Sequence, residues 1–122
     1  IGTLASPIKN NNELIDSNVV KVHVDQVLKD DSFFQAKDFF REKKDLINDK
    51  IYHHLGLYIF TKDALTRYVS LSRSKFEIER NLEQMRAMDN NMLIKVGLTN
   101  SLPLSVDTEE DLKKVEKEME KL

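Results

Sequence analysis

Val20, Val22 and Val24 alternate with Lys21, His23 and Asp25, which makes one face of this stretch apolar and the other polar. A period of two is the spacing of a half-buried strand, and β-branched valines suit it. Between Phe33 and Asn48 the residues Phe33, Phe34, Phe39 and Phe40 sit among charges with no single face, and the segment is read as a helix from about Ser32. His54 to Phe60 is mostly apolar around an internal Gly56, which predicts a buried strand where a backbone or ligand can approach closely. Lys62 to Val69 predicts a short helix. Ile78, Leu82, Met85 and Met88 recur at helical spacing and stop before Asp89-Asn90-Asn91, the pattern of one amphipathic helix ended by a turn. Leu93 to Leu98 predicts another strand. Thr108 stands where a helix N-cap belongs, with Glu109, Glu110 and Asp111 in the first turn, and Leu112, Val115, Met119 and Leu122 form the apolar stripe of this last helix.

Strands and helices taking turns predict one α/β unit, with a sheet that is incomplete and has unpaired edges. No repeat, low-complexity tract or Pro/Gly linker divides it, and 122 residues that are 40% hydrophobic suffice for one core. Its 19 basic and 21 acidic residues leave a net charge of -2, too little to gather nucleic acid or an anionic membrane through a long-range field. Neither nucleic acid nor membrane is an expected partner. The chain has no cysteine, which removes disulfides, thiolate zinc sites and cysteine nucleophiles. No apolar run approaches the roughly 20 residues of a membrane span and no signal layout opens the chain, which fits a cytoplasmic location. Asn10-Asn11-Asn12 reads as a polar loop and His23 as solvent-facing. The start at Ile1-Gly2-Thr3-Leu4-Ala5, with no methionine, suggests a fragment or a split chain.

In open α/β sheets, ligands bind beyond the carboxyl ends of strands. Asp107 follows a short apolar stretch and precedes a helix, so its carboxylate is a candidate ligand for a hard cation such as magnesium, which takes oxygen donors. Capping of the helix beside Thr108 is the competing and more common role. Glu83 and Gln84 flank the Ile78-Leu82-Met85-Met88 stripe, and both are read as pointing off the core. Such a pair offers two acceptors and an amide to a polyhydroxylated ligand, although helical Glu-Gln pairs usually lie at the surface. His54 opens an apolar strand, where a histidine is more often structural than catalytic.

Three phrases, Tyr52-His53-His54-Leu55-Gly56-Leu57-Tyr58, Leu82-Glu83-Gln84-Met85-Arg86-Ala87-Met88 and Val106-Asp107-Thr108-Glu109-Glu110-Asp111-Leu112, together resemble the C-terminal half of the 3-deoxy-manno-octulosonate cytidylyltransferases. These enzymes join CMP to the acidic eight-carbon sugar of lipopolysaccharide. Ile1 to Ile8 and Asn18 to Val24 are similar to strands of the same family. The resemblance implies the C-terminal portion of a Rossmann-like, three-layer nucleotide-sugar transferase fold with a mixed sheet, CTP and the sugar acid as substrates, a homodimer, and a CTP-binding half outside this chain. It also implies sugar contacts from His54, Gly56, Tyr58, Glu83 and Gln84, with a cationic or donating imidazole at His54, and a magnesium ligand at Asp107. Departures accompany it: Asp31 to Phe40 lacks the arginine and both prolines usual in the family, Lys75 stands where proline is usual, Arg80 where glutamate is, and His53 where arginine is common. A related transferase for another acidic sugar such as a sialic acid, and a non-catalytic remnant or dimerisation module, are the alternatives.

Overall fold

The computed structural model describes residues 1–42, 50–101 and 104–122. Its elements run β1 (Gly2–Ser6), α1 (Asn11–Ile15), β2 (Lys21–Val24), β3 (Phe33–Phe40), β4 (Ile51–Ile59), α2 (Lys62–Ser70), α3 (Lys75–Arg80), α4 (Gln84–Asp89), β5 (Lys95–Leu98) and α5 (Glu109–Met119). The valine alternation does form a strand, and the strands expected at His54–Phe60 and Leu93–Leu98 appear as β4 and β5. The five strands are mixed in direction: β1 and β5 run parallel, and the other pairs are antiparallel.

Three expectations about the sheet are corrected. First, it is not left with free edges: the order β1-β4-β2-β3-β5 closes on itself because β5 pairs with both β1 and β3. The five strands therefore form a barrel rather than an open layer. Second, Phe33–Phe40 is strand β3, not helix; the remainder of the expected helix, 43–48, lies outside the described residues. The pairing register slips between His23 and Val24, from His23 opposite Asp38 to Val24 opposite Ala36. That one-residue bulge changes the phase of the strand, so Phe34 and Ala36 turn inward before it and Phe39 after it. A two-residue period broken in the middle shows no single face. Third, Lys21 is fully buried instead of facing water. Its ammonium donates to the carbonyls of Asp16 (2.7 Å) and Arg41, which covers the outer side of β2. His23 is likewise half-buried.

The core lies inside the barrel and under α4, where Val22, Val24, Phe39, Met85, Ile94 and Val96 are buried together. At the barrel surface the half-exposed Phe33 ring lies over Gly97, where a Cβ would come within 2.7 Å of it, so a larger residue there would have to displace that ring. The Asn10-Asn11-Asn12 run is not a loop: the Asn10 side chain accepts from Glu13 N at 3.1 Å and caps α1. Thr108 caps α5 as expected, in a reciprocal capping box with Asp111. The α5 stripe is nevertheless left largely uncovered, with Leu112 at 46% and Met119 at 64% exposure.

The single helix expected over Ile78 to Met88 is two helices. Asn81 adopts a left-handed conformation (φ 53°) between α3 and α4, a geometry that asparagine tolerates better than most residues. The restart alters the helical phase, so Ile78 is 58% exposed while Glu77 is buried. Glu77 is satisfied there by Arg86, whose Nε and Nη2 donate to its two carboxylate oxygens at 2.9 and 2.7 Å, and by the Ser74 amide of its capping box. Glu77→Ala is expected to lower stability by about 2 kcal/mol, because a charge-assisted fork and a cap are lost together. Urea unfolding measures this, and an unchanged midpoint would show that the fork contributes nothing.

Candidate functional site

Strand β4 carries the wall of the site, and its irregularity shapes it. Thr3 pairs with Tyr58 but Leu4 with Leu55, so Gly56 and Leu57 are extra residues bulged out of the β1–β4 ladder. The buried Thr3 hydroxyl stitches the bulge: its oxygen lies 3.1 Å from the carbonyl oxygen of Leu55, 2.9 Å from that of Leu57 and 2.8 Å from His54 Nε2. A hydroxyl has one proton and carbonyls only accept. The Thr3 proton is therefore taken up by the two carbonyls, and His54 donates its Nε2–H to Thr3. The tautomer that results has its lone pair on Nδ1. A Cβ at Gly56 would meet nothing within 4 Å, so the missing side chain leaves open space at the wall, and packing does not demand it.

Burial, with a further contribution from His53, pushes the His54 imidazole down to about 4. Its ring packs edge-on against Phe39 at 5.0 Å and tilted against Tyr58 at 5.5 Å. Of the two forms expected, a cationic or a donating imidazole, the apolar, aromatic setting disfavours the cationic one and favours a neutral ring at pH 7. Burial first, and then the nearby Glu83 charge, raises the Tyr58 phenol well above its ordinary value, so it stays a neutral hydroxyl. His53 lies 3.8 Å from Glu13 Oε2. Burial still lowers its pKa, against the opposing pull of that carboxylate.

The α3–α4 corner supplies the opposite side. Tyr68 donates its hydroxyl proton to the Glu83 carbonyl at 2.9 Å, and the Arg86 guanidinium stacks 4.9 Å over the Tyr68 ring while gripping Glu77. The start of α4 is thereby held between α2 and α3. Glu83 is exposed there, as expected, whereas Gln84 is buried, which corrects the reading that both point off the core.

Asp107 is exposed just ahead of α5. Capping is done by others: Thr108 Oγ1 accepts from the Asp111 amide (3.1 Å), and Asp111 Oδ2 accepts from the amides of Thr108 and Asp107 (both 3.2 Å). Among the described residues the Asp107 carboxylate receives the Ser105 hydroxyl, at 3.4 Å. It is a hard oxygen donor with lone pairs to spare, which fits one ligand of a magnesium ion that draws the rest from phosphate and water. Among the described residues no cluster of three or more His, Cys, Asp or Glu side chains could hold a metal alone.

A cleft of about 660 Å³ brings these parts together: His54, Gly56, Tyr58, Glu83, Gln84 and Asp107 all line it. Residues far apart in the sequence converge because β4, the α3–α4 corner and the turn before α5 meet at one end of the barrel. Arg41 lines the same cleft and was missed by sequence reasoning. It follows directly on Phe40, and once β3 is recognised as a strand Arg41 stands at its carboxyl end, where ligands are expected.

A sequence model described as cytidylyltransferase matches residues 1–94. The chain belongs to the cytidylyltransferase family. It is 38% identical to the 3-deoxy-manno-octulosonate cytidylyltransferase of Bartonella henselae over 96% of this chain and 47% of that one. To the enzyme of the same name from Rhizobium meliloti it is 42% identical, over 93% of this chain and 45% of the relative. The chain thus spans about half the length of the curated relatives it matches. A solved CMP:2-keto-3-deoxy-manno-octonic acid synthetase complexed with CTP superposes with a TM-score of 0.81 at 27% identity, over 98% of this chain and 48% of the other. In this cytidylyltransferase chain two of the unusual residues meet. Arg80 pairs with Asp38 of β3 and also donates to the Phe39 carbonyl at 2.7 Å, which ties the atypical strand to the α3–α4 corner.

Proposed function

We propose that this chain forms the sugar-binding and metal-binding half of an enzyme that transfers CMP from CTP to 3-deoxy-manno-octulosonate with release of pyrophosphate. The supporting observation is the single cleft that collects His54, Gly56, Tyr58, Glu83, Gln84 and Asp107 in a chain whose relatives bear that enzyme's name. In this reading the barrel is the C-terminal part of a Rossmann-like transferase fold. The CTP-binding half lies outside the chain, the assembly is a homodimer, and the reaction takes place in the cytoplasm.

The reaction is attack by the sugar's anomeric hydroxyl on the α-phosphate of CTP, with pyrophosphate leaving. Binding in one orientation is the main contribution this half can make, because a fixed approach replaces a bimolecular encounter. Gln84, rigid through burial, offers an amide to hydroxyls, and Glu83 accepts from them. Neutral His54 accepts a sugar hydroxyl at Nδ1, and neutral Tyr58 donates or accepts. Gly56 leaves space for the ring. Asp107 would hold magnesium, which when bound offsets charge on the phosphates.

Calorimetric titration of the chain with 3-deoxy-manno-octulosonate and with a sialic acid tests the reading. Saturable binding of the first sugar is expected, weakened about tenfold or more by Gln84→Leu, which leaves hydroxyls unpaired. Equal affinity for both sugars would contradict the substrate, and no binding of either would contradict the site.

A further inference from the structure

We infer that Thr3 is a positioning residue of this cleft: its hydroxyl fixes which nitrogen of His54 carries the proton, and so makes Nδ1 the acceptor that selects a hydroxyl on the sugar acid. The selection rests on the cleft being the sugar site, as proposed above, whereas the proton position does not.

Thr3 is held in place before any ligand arrives. Its strand β1 lies between β4 and β5, with Thr3 opposite Tyr58 on one side and Val96 on the other, and Thr3 is 2% exposed. The carbonyl oxygens of Leu55 and Leu57 approach its hydroxyl oxygen at 3.1 and 2.9 Å. Oxygens at that distance repel unless a proton lies between them, and the hydroxyl holds a single proton. Its lone pairs are left for His54 Nε2 at 2.8 Å, which must therefore donate.

The imidazole is held against turning over. The His54 amide donates to the Val20 carbonyl at 2.9 Å, and the ring sits between Phe39 and Tyr58, at 5.0 and 5.5 Å between centroids. Burial keeps the ring neutral at pH 7, so it has one proton to place. With that proton on Nε2, the other nitrogen can only accept. His54 lines the cleft, so a ligand hydroxyl finds an acceptor at Nδ1, whereas an ether or a deoxy position there leaves the nitrogen unpaired.

Nitrogen-15 NMR of the labelled chain at pH 7 reads the proton directly, because bare and protonated ring nitrogens resonate far apart. One form is expected, protonated at Nε2, and addition of 3-deoxy-manno-octulosonate should move the Nδ1 signal. Thr3→Val keeps the shape and removes the hydroxyl. A buried Nε2–H without an acceptor is unfavourable, so the form protonated at Nδ1 should become the major one and sugar affinity should fall about tenfold. Thr3→Ser returns the hydroxyl and should return both the wild-type spectrum and the affinity. A merely structural Thr3 would leave the proton on Nε2 in Thr3→Val, which overturns the inference. A moved proton with unchanged affinity overturns the selection by Nδ1. Should Thr3→Val fail to fold, the wild-type chain decides: a proton at Nδ1, or a sugar that moves the Nε2 signal instead, overturns the inference. A proton on Nε2 in a chain that binds no sugar would sink the cleft reading and the selection with it, and leave the proton position standing.

Discussion

Asp107→Asn is expected to lower magnesium-dependent turnover by about 100-fold or more in the complete enzyme, while leaving the fold of this chain unchanged. The size follows from the role. Changes to residues that merely orient a metal ligand already cost about 10–100-fold, and a direct ligand should exceed that. The unchanged fold follows from the geometry before α5. Thr108 and Asp111 carry the capping box, and the Asp107 amide that donates to Asp111 at 3.2 Å is retained in asparagine. Among the described residues the Ser105 contact is the one altered, so the stability change should stay within about 0.5 kcal/mol. Turnover measured against magnesium concentration, with thermal unfolding alongside, separates the two. Full turnover at limiting magnesium would remove Asp107 from the metal, and a large loss of stability would make it a structural residue.

Acidification is expected to remove about 3 kcal/mol of folding stability between pH 6.5 and 4 through His54 alone. The imidazole is held down to about 4 by burial, from an ordinary 6.5. In this window the unfolded chain binds a proton that the folded chain refuses. Stability is therefore complete above pH 6.5, falls as the pH drops, and levels off for this group below about 4. His53 adds to the same trend, because its own pKa is also lowered by burial. Glu77 acts lower down. Its carboxylate lies below the ordinary 4.5, chiefly through the bond from Arg86, so its contribution is present above that value and lost as the pH falls further. A loss of about 3 kcal/mol is a large share of the roughly 5–15 kcal/mol that a domain possesses. Urea unfolding at pH 7, 5.5 and 4 should show a shallower decline in His54→Gln than in the wild type. Identical slopes would mean that His54 is not the buried neutral group described here.

Much of the site was legible in the sequence, and the fold less evenly. Thr108 announced the α5 cap because its partners are local: a capping box is written within four residues. The phrases around His54, Glu83-Gln84 and Asp107 marked residues that the structure brings to one cleft, although nothing in their spacing showed the meeting. Strand β3 was illegible because a bulge reverses its inward face halfway, and no fixed period survives that. The break at Asn81 was hidden for a similar reason. Its left-handed backbone costs asparagine little, and the apolar residues on either side still fall at helical intervals. Lys21, His54 and Glu77 show a further limit. Whether a polar side chain is buried depends on distant partners, here the carbonyls of Asp16 and Arg41, the Thr3 hydroxyl and the Arg86 guanidinium. Barrel closure depends on β5 reaching both β1 and β3, a pairing that no local pattern encodes.

The proposed function makes this cleft half of a sugar-acid cytidylyltransferase site. The most direct measurement is pyrophosphate release from a mixture of this chain with a folded CTP-binding half, CTP, magnesium and 3-deoxy-manno-octulosonate. Release is expected that requires both chains and the sugar, and that Asp107→Asn lowers by about 100-fold or more. Two folded chains that release no pyrophosphate together would contradict the proposed function.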